Sequence, residues 1–480
     1  MPFTNNAVLI RREFLTKICQ LLDKDLLIEK IDRIPLEMRP RNSDYVRCCV
    51  HKDRAVLKYK IMASLGYNRQ DEEDELTPLS GYAQQALSRK SSTDVMLTVV
   101  DEACSSCRKN NYIVTNICQG CVGRKCIVNC PKNAIDFING KAKINQVDCV
   151  NCGICMENCP FHAIVFMPVP CEEACPVNAI SKNSEGIEQI DFDKCILCGK
   201  CLEACPYGAI LEKSNLLEIY SAIKSDAKTI AMVAPAIAGQ FRVEMSKILS
   251  GFKALGFDEV VEVAQGADVT IKHEAEEFVE KMEQQQSLMT TSCCTSYRYL
   301  VDKHIPELQQ YVSDTKTPLQ YTAQIVRAQN PDAKLVFVGP CIAKRKEVFD
   351  NDNIDYMLNF EEFGAMLIAK KIDVNVCDSI DLDNDITKEA RGFAVSGGVA
   401  NAVKSVIPSS IDFKPVLING VDKKEFRELK KISKGKGEGN FVEVMMCKDG
   451  CVGGCNTIAK SKTAKRQIGK MATETKIEVD

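Results

Sequence analysis

The sequence has no long hydrophobic run and no excess of charge of either sign. Its longest strongly apolar stretch, Thr229–Gly239, falls well short of the ~18 residues that a membrane-spanning helix needs, and the N-terminal segment has no apolar signal core. Lys and Arg number 62 against 65 Asp and Glu, so nothing marks the whole chain as a nucleic-acid binder. We therefore expect a soluble, cytoplasmic protein that binds neither membrane nor nucleic acid.

What the sequence has in abundance is cysteine, with 26 in 480 residues. A chain of this length has room for about three domains and needs no disulfide framework. Because thiols stay reduced in the cytoplasm, cysteines in such number are predicted to be metal ligands. Sixteen of them lie between Cys104 and Cys205, and six more lie in three short motifs downstream.

The first region, residues 1–102, is poor in cysteine. Apolar residues recur at helical spacing from Ile10 to Leu22, which predicts helices, and the segment Val95–Val100 (VMLTVV) predicts a strand. Cys48, Cys49 and His51 do not form a tetrahedral metal site by themselves, so we interpret these cysteines as structural or surface thiols.

Two further regions follow. In residues 103–225 the pattern CxxxCPxxAI occurs four times, and Asn139-Gly140 predicts a hairpin turn. Residues 226–480 alternate apolar strands (TIAMVAP, AKLVFVGP, NFVEVMM) with helical stretches such as Glu274–Gln284, which is typical of an α/β architecture. A lysine-rich segment near the end is interpreted as a solvated helix and loop, with a docking patch for an acidic redox partner as the alternative; its lysines are Lys423, Lys424, Lys430, Lys431, Lys434 and Lys436.

The cysteine runs of the middle region follow the bacterial ferredoxin pattern C-x2-C-x2-C-x3-C-P. The pattern occurs twice, as Cys149, Cys152, Cys155 and Cys159, and as Cys195, Cys198, Cys201 and Cys205. In two-cluster ferredoxins the fourth cysteine of each run binds the other cluster. A variant run precedes them, so this rule predicts one [4Fe-4S] cluster on Cys118, Cys121, Cys126 and Cys159, and a second on Cys130, Cys149, Cys152 and Cys155.

The third copy of the repeat keeps only Cys171 and Cys175. By the same rule Cys175 completes a cluster with Cys195, Cys198 and Cys201, and Cys171 and Cys205 are left to pair with Cys104 and Cys107. Four clusters then use all sixteen cysteines. In the alternative, the 149 and 195 runs pair with each other, which leaves three clusters and spare thiols.

Three downstream motifs carry a family resemblance: TTSCCTSY, FVGPCIAKRKE and FVEVMMCKDGCVGGC. They resemble the signatures TSCCP, PCxxKxxE and ExMxCxxGCxxGG of the [FeFe] hydrogenases, in that family's order and after ferredoxin-like modules. The resemblance runs from about residue 103 to 460, and the N-terminal RCCVHKDR is similar to the clade called group B. The expected fold is a helical N-terminal region, ferredoxin-like modules and an α/β catalytic domain.

Four thiolates, Cys294, Cys341, Cys447 and Cys451, are the complement for one more [4Fe-4S] cluster. The resemblance implies that Cys451 also bridges to a diiron subcluster that carries CO, cyanide and an azadithiolate and is inserted by maturation factors. Together these form the H-cluster. It further implies that Lys344 hydrogen-bonds a cyanide, and that the site is lined by Ala234, Pro235, Gln320, Gly397 and Gly398.

A proton route is also implied by the resemblance. Cys293 matches the family's proton-carrying thiol, and Glu274 and Glu277, three residues apart on one helix face, match its two glutamates. Asp314 aligns with a serine of the family relay, and Glu347 matches a residue that supports the site. The implied activity is the reversible reduction of protons to hydrogen, with electrons from reduced ferredoxin.

Several positions depart from the family pattern. Thr295 replaces a proline, Gly339 a methionine, Ala236 a serine, and Cys455 a glycine; we interpret Cys455 as a non-ligand, and Cys19 and Cys377 as buried apolar residues. Such changes around a metal centre alter its properties, which keeps open a slow hydrogen-sensing or regulatory protein. The presence of Lys344 and Cys293 argues against a third candidate, an iron-sulfur assembly protein without the diiron unit.

Overall fold

A computed structural model describes residues 5–44, 47–68, 71–72, 74–89, 96–104, 107, 111–382 and 385–474. The predicted fold class is confirmed: a helical N-terminal region is followed by small ferredoxin-like modules and an α/β domain. Within these residues, no helix combines the length and the hydrophobicity that crossing a bilayer requires.

The N-terminal region is helical, as predicted. The side chain of Asn5 caps the first helix by accepting a hydrogen bond from the backbone N–H of Val8 at 2.9 Å. The predicted strand is present but shorter than expected. The elements are α1 (Asn6–Asp23), α2 (Leu27–Lys30), α3 (Ile34–Met38), α4 (Val50–Ser64), α5 (Leu79–Ser88) and β1 (Leu97–Val99), with a short 3-10 turn at Ile31–Arg33.

The middle region consists of two-stranded antiparallel pairs joined by cysteine-bearing loops and one-turn helices. The predicted hairpin is confirmed, since Asn139 and Gly140 both have positive φ, at 51° and 76°. Strands pair as β2 with β5, β3 with β4, β6 with β7, and β1 with β8. The elements are α6 (Asp101–Cys104), β2 (Tyr112–Val114), α7 (Lys125–Val128), β3 (Ile135–Ile138), β4 (Lys141–Ile144), α8 (Ile154–Glu157), β5 (Ile164–Phe166), α9 (Pro170–Ala174), β6 (Ile180–Lys182), β7 (Glu188–Ile190), α10 (Lys200–Ala204) and β8 (Ile210–Glu212).

The C-terminal region contains two parallel sheets flanked by helices. Their strand orders are β10-β9-β12-β13 and β11-β15-β14. The elements are α11 (Leu216–Lys224), β9 (Thr229–Val233), α12 (Met245–Leu255), β10 (Glu259–Glu262), α13 (Ala264–Glu283), β11 (Met289–Thr290), α14 (Thr295–His304), α15 (Pro318–Gln329), β12 (Lys334–Val338), α16 (Ile342–Phe349), β13 (Tyr356–Leu358), α17 (Phe360–Ala369), α18 (Lys388–Gly392), α19 (Gly398–Val406), β14 (Pro415–Asn419), α20 (Lys423–Ile432), β15 (Phe441–Met445) and α21 (Ser461–Glu474), with 3-10 turns at Pro235–Gly239, Pro306–Tyr311 and Cys451–Gly453.

The three strands predicted from apolar runs are confirmed as β9, β12 and β15. Almost every residue of these strands is buried, as expected for parallel strands covered on both faces. Each predicted ligand segment follows the carboxyl end of a parallel strand, which is where open α/β sheets form their binding crevices.

The N-terminal helices share a hydrophobic core with the C-terminal region. Phe14 and Ile18 on α1 belong to the same buried cluster as Phe252 and Phe363. On the rim of this contact, Arg11 and Arg12 both bind the carboxylate of Glu361 at the start of α17, at 2.6 and 2.9 Å. Helix α1 therefore packs directly on the α/β domain. The predicted domain boundaries, at residues 102 and 225, stay predictions.

Candidate metal centre

Four predicted ligands come together from three segments of the α/β domain. Cys294 lies directly before α14, Cys341 directly before α16, and Cys447 and Cys451 lie in the loop after β15. Burial first, and then the nearby Cys341 and Cys294, raise the pKa of Cys451 to about 12. Burial and then Cys294 likewise raise the pKa of Cys341 to about 12. The thiols are thus close enough to disfavour one another's ionisation.

These four cysteines combine deep burial with partly accessible surface. They lie deep in the protein, yet three of them keep partly exposed surface and Cys451 is exposed. Among the described residues, no group of three or more His, Cys, Asp or Glu side chains is arranged to hold a single metal ion. An all-cysteine donor set whose members lie near one another fits an iron-sulfur cluster, which takes thiolate ligands.

Lys344 lies one helical turn after Cys341 and belongs to a buried hydrogen-bond network. Its ammonium group donates to Glu347 at 2.8 Å, and the same carboxylate accepts hydrogen bonds from Thr317 at 2.5 Å and from Thr295. Burial opposes ionisation of Glu347, but Lys344 and the two hydroxyls outweigh it and lower its pKa. The threonine that replaces the family's proline therefore donates a hydrogen bond to the partner of Lys344.

Gly339 and Ala236, two further departures from the family pattern, have different surroundings. A side chain at Gly339 would collide with the ring of Phe337, because a Cβ there would lie 2.5 Å from the ring. The space of the family's methionine is thus occupied by that phenylalanine. Ala236 is buried in the turn after β9, and its carbonyl accepts a hydrogen bond from Gln240 at 3.1 Å; nothing in the structure explains why it is not serine.

The glycine segment predicted to line the site is held by a residue that the sequence prediction missed. Glu443 on β15 is fully buried, and its carboxylate accepts the backbone N–H groups of Gly397 at 2.6 Å and Ala400 at 2.8 Å. Burial raises its pKa, whereas these backbone donors lower it. The sequence did contain a signal for Glu443. It is a charged residue in an otherwise apolar strand, and it occupies the first position of the motif ExMxC.

Close backbone approach explains two of these glycines. A Cβ at Gly398 would lie 2.2 Å from the carbonyl oxygen of Gly392, and a Cβ at Gly450 would lie 2.7 Å from the backbone nitrogen of Ser396. Gly450 also has a φ of 89°. The loop that carries Cys451 and the loop at Gly397 are therefore in direct backbone contact.

The remaining predicted lining residues are in different situations. Ala234 directly follows β9, with its N–H bonded to the carbonyl of Val338 at 2.9 Å, and Pro235 begins the following turn. The side-chain oxygen of Gln320 instead accepts the N–H of Thr317 in the cap of α15, at 3.2 Å. This cap adjoins the Glu347 network through Thr317. A contact between Gln320 and a cofactor therefore stays a prediction.

The predicted proton relay has a buried end and a hydrogen-bonded end. The Cys293 pKa is raised by burial first and then by Glu274, which places these two groups near each other. Glu274 is fully buried, and burial first and Glu277 second raise its pKa to about 8. The nearby N–H of Ser292 acts in the opposite direction, although it does not form a hydrogen bond with the carboxylate. Burial opposes ionisation of Glu277 too, but donors led by Lys281 and Ser313 hold its pKa below the ordinary value.

Next to the predicted relay residue Asp314, the structure places a serine in contact with Glu277. Ser313 is buried and its hydroxyl lies 2.5 Å from a carboxylate oxygen of Glu277. The side chain of Asp314 is exposed, and only its backbone N–H reaches Glu277, at 2.9 Å. Ser313, and not Asp314, therefore supplies the side chain that contacts Glu277, and a relay role for Asp314 stays a prediction.

Two groups of accessory cysteines each line a separate cavity. One cavity is lined by Cys118, Cys121, Cys126 and Cys159, and the other by Cys130, Cys149, Cys152 and Cys155. Each group combines three cysteines of one run with the fourth cysteine of the other. The structure thus brings together the sets that the crossing rule predicts.

The other eight accessory cysteines form two neighbouring groups. Burial, then Glu188, raises the pKa of Cys171, and Cys205, Cys104 and Cys107 raise it further. Burial likewise raises the pKa of Cys201, followed by the nearby Cys198, Cys195 and Cys175. These neighbours match the third and fourth predicted sets, but the number of clusters stays a prediction.

The repeated CPxxA sequence has a structural cause. In all four copies the alanine N–H donates to the sulfur of the cysteine four residues before it, at distances of 3.2 to 3.4 Å. The residue before that alanine has a positive φ in every copy; these residues are Asn133, His162, Asn178 and Gly208. Hydrogen bonds to ligand sulfurs tune the reduction potentials of iron-sulfur clusters, so each repeat carries such a donor.

Cys455 lies between an accessory group and the catalytic group. Its sulfur would be 2.4 Å from a Cβ placed on Gly199, which lies between Cys198 and Cys201. It also approaches the carbonyl of Pro340, next to Cys341, at 3.8 Å. Nearby, the Ser296 hydroxyl donates to the carbonyl of Ile196 at 2.7 Å. The loop of residues 195–201 is therefore packed against the loops of the catalytic cysteines.

Cysteines outside these groups differ in burial. Cys19 is fully buried, as predicted. Cys377 is only partly buried, so its interpretation as a buried residue is wrong; it lies in an irregular segment after α17. Cys48 is exposed and Cys49 is partly buried, with their sulfurs 3.9 Å apart before α4, in agreement with surface thiols.

Comparisons with known proteins agree on one family. Residues 227–455 match the family described as "Iron only hydrogenase large subunit, C-terminal domain", and residues 142–165 and 188–211 match "4Fe-4S binding domain". Iron hydrogenase 1 of Clostridium pasteurianum is 26% identical over 68% of this chain and 66% of its own length. The chain thus spans just under two thirds of that relative.

Two more distant similarities complete the comparison. The cytosolic Fe-S cluster assembly factor NAR1 of Eremothecium gossypii is 27% identical over 28% of this chain and 31% of its own length. The solved structure of apo [FeFe]-hydrogenase HydA1 from Chlamydomonas reinhardtii, a variant, aligns with a TM-score of 0.44 and 18% identity over 56% of this chain and 91% of that one. From the family match and the converging cysteines, we conclude that residues 227–455 form a domain of the iron-only, or [FeFe], hydrogenase family.

Proposed function

We propose that this protein catalyses the reversible reduction of protons to hydrogen. The observation that carries the proposal is the convergence of Cys294, Cys341, Cys447 and Cys451 at the carboxyl ends of parallel strands, next to Lys344. The chemistry requires an electron source, a proton route and a redox centre, and the chain offers residues suited to each.

The four cysteines would hold the [4Fe-4S] part of an H-cluster, with Cys451 shared with the diiron subcluster. When bound, the diiron unit supplies the position where two electrons and two protons combine into one hydrogen molecule. Lys344 would donate a hydrogen bond to a cyanide ligand. Because an ammonium group has three donors, Lys344 can do so without losing Glu347.

Residues behind this centre would move protons to and from it. The Cys293 thiol would carry protons at this centre; burial first, and then Glu274, raise its pKa well above the usual value. Glu274, with a pKa of about 8, can exchange a proton near neutral pH. Ser313 and Glu277 would extend the route toward Lys281, which binds Glu277 at 2.6 Å.

Electrons would reach the centre through the accessory clusters. Four clusters are favoured over three because all sixteen cysteines fall into four groups of neighbours. The group containing Cys198 and Cys201 is packed against the catalytic loops, so it would be last in the series. A reduced ferredoxin in the cytoplasm would be the donor, and maturation factors would insert the diiron unit.

A second candidate is a slow hydrogen-sensing or regulatory protein with the same centre. The differences at Thr295, Gly339 and Ala236 favour it, because changes around a metal tune its reactivity. The similarity to NAR1 also brings in an assembly role, but Lys344 and Cys293 have no evident purpose there. The rate of hydrogen turnover distinguishes the catalyst from the sensor. The presence of the diiron unit distinguishes both of them from an assembly protein.

The test is to mature the purified full chain with the diiron cofactor and to measure hydrogen evolution from reduced methyl viologen. We expect hydrogen together with infrared bands of bound CO and cyanide. Cys293→Ala should abolish most turnover but keep the bands, whereas Cys377→Ala, at a thiol outside every group, should change neither. Absence of the bands after maturation would exclude the catalyst and the sensor together; bands without appreciable turnover would favour the sensor.

A further inference from the structure

Two adjacent cysteines, Cys48 and Cys49, lie directly before helix α4 and outside the cysteine groups described above. Cys48 is exposed and Cys49 is partly buried. The backbone at Cys49 is extended, with a φ of −166° and a ψ of 165°. Successive side chains of an extended segment point to opposite sides. The two sulfurs nevertheless lie 3.9 Å apart, so these side chains are turned toward each other.

The surroundings of the pair favour ionisation of Cys49. It is the residue before the first turn of α4, and the nearby backbone N–H of Lys52 holds the pKa of Cys49 below its ordinary value. The thiol of Cys48 donates to the Cys49 sulfur and lowers that pKa as well, whereas burial and Asp53 act in the opposite direction without cancelling the effect. Because a thiolate is the form that attacks a disulfide, Cys49 is suited to react first. Cys48 is close enough to react second.

We propose that Cys48 and Cys49 are a redox-active dithiol, which a small-molecule disulfide such as oxidised glutathione converts reversibly to a disulfide between the two residues. The Cys49 thiolate attacks one sulfur of oxidised glutathione, and one glutathione leaves as a thiolate that takes up a proton. Cys48 then gives up its proton and attacks the Cys49 sulfur of this mixed disulfide, which releases a second glutathione. The dithiol thus loses two electrons and two protons, and oxidised glutathione gains both.

The geometry of adjacent residues makes the product easy to reduce again. Their Cα atoms are about 3.8 Å apart across a trans peptide, whereas disulfide-bonded cysteines usually have Cα atoms about 4.4–6.8 Å apart. A disulfide between Cys48 and Cys49 is therefore strained. Strained or exposed disulfides have the more oxidising potentials and are the labile, regulatory ones.

The residue before the pair links it to the iron-sulfur region. The guanidinium of Arg47 lies 5.8 Å from the centre of the Tyr207 ring, two residues after Cys205, and it pairs with Asp53 on α4 at 3.7 Å. Closing the disulfide shifts the backbone next to Arg47, because the two sulfurs must move into bonding distance. The two states of the dithiol therefore differ at a segment that contacts the loop after Cys205. This chemistry does not depend on the hydrogen chemistry proposed above.

The test incubates the full chain, with its iron-sulfur clusters and without oxygen, in mixtures of reduced and oxidised glutathione. Accessible thiols are then alkylated, and the peptide that contains Cys48 and Cys49 is analysed by mass spectrometry. As the share of oxidised glutathione rises, we expect this peptide to lose two hydrogens and both alkylation sites, and to regain them in reduced glutathione. Cys377→Ser, at a partly buried thiol outside the cysteine groups, is the matched control and should leave this behaviour unchanged.

A single variant tests the order of the two steps. In Cys48→Ser the second thiol is missing, so we expect Cys49 to stop at the mixed disulfide with glutathione. Both residues lie at the surface before α4, so the substitution removes no part of the core. Two alkylated thiols at every glutathione ratio, a wild-type mixed disulfide that never closes, or disulfides between chains would each overturn the proposal.

Discussion

The hydroxyl of Ser313 lies 2.5 Å from a carboxylate oxygen of Glu277, while the neighbouring Asp314 points its side chain to solvent. Ser313→Ala removes this link, so we predict that it lowers hydrogen evolution about tenfold or more, in the range found for proton-transfer groups. Asp314→Asn is the matched control and should leave the rate within twofold. The reverse pattern would restore the assignment that the sequence suggested.

Glu274 should make the stability of the protein depend on pH. Its pKa is raised from 4.5 to about 8 by burial first and by Glu277 second. Between these values the folded protein keeps a proton that the unfolded chain has lost, so this group lowers stability as pH rises from about 4.5 to about 8.

The variant Glu274→Gln cannot ionise and should escape this loss. Its stability relative to the wild type should therefore increase with pH across that window, by up to about 1.4 kcal/mol per pH unit, and level off above it. Thermal unfolding of both proteins at several pH values measures this difference. A difference that does not change with pH would mean that Glu274 ionises normally in the folded protein.

Thr295 is predicted to stabilise the Lys344–Glu347 pair. Thr295→Val keeps the shape but removes one donor from a buried carboxylate, which should cost about 1–3 kcal/mol of unfolding free energy. Thr295→Pro should cost about the same, because this position is the first of α14, where proline is tolerated. A much larger loss in the proline variant alone would locate the cause in the backbone. Denaturant unfolding of the two variants provides the comparison.

Gly199 and Cys455 should be energetically coupled. Gly199→Ala places a methyl group 2.4 Å from the Cys455 sulfur, so it should displace the loop of residues 195–201 and lower the iron content by up to four irons per chain. Cys455→Gly alone should leave the iron content unchanged, since Cys455 is expected to be a non-ligand. In the double variant, iron should return in part; the φ of 75° at residue 199 still disfavours alanine. Iron analysis of the three proteins tests both points.

We predict that the lysine-rich helix α20 docks an acidic electron donor, the alternative that the sequence left open. Leu429 and Ile432 are buried, whereas Lys424, Arg427 and Lys430 are exposed. Phe426 on this helix contacts the ring of His304, and the adjacent Lys303 donates to the carbonyl of Cys195 at 2.8 Å. The helix thus lies beside a predicted cluster.

Replacing Lys424, Arg427 and Lys430 by glutamate should raise the KM for an acidic ferredoxin about tenfold at low salt, and the effect should fade at high salt. Rates with methyl viologen should not change. The equivalent triple reversal on α21, at Lys462, Lys465 and Arg466, is the control. Equal effects of both reversals would leave α20 as a solvated helix, the interpretation that its sequence first favoured.

Local pattern predicted much of this structure. The cysteine spacings predicted the groups of neighbouring thiols, with one alternative pairing left open, and the apolar runs predicted β9, β12 and β15, because both signals are contained in short segments. Ser313 was missed because choosing between two adjacent loop residues requires knowing which side chain is buried. Only the fold determines which one that is. Glu443 was missed because its role depends on backbone N–H groups more than forty residues away in sequence. The packing of α1 against α17 likewise leaves no local trace.

That last contact has a consequence for synthesis on the ribosome. Arg11 and Glu361 are 350 residues apart in the chain. At translation rates of about 5–20 residues per second, the nascent first helix therefore waits roughly 20 to 70 seconds for its partner to emerge. Throughout that interval its apolar stripe, with Phe14 and Ile18, lacks the part of its core that α17 supplies. We expect a chaperone to bind the growing chain during this interval. The predicted iron sites in the middle of the chain emerge from the ribosome before α1 can pack against α17.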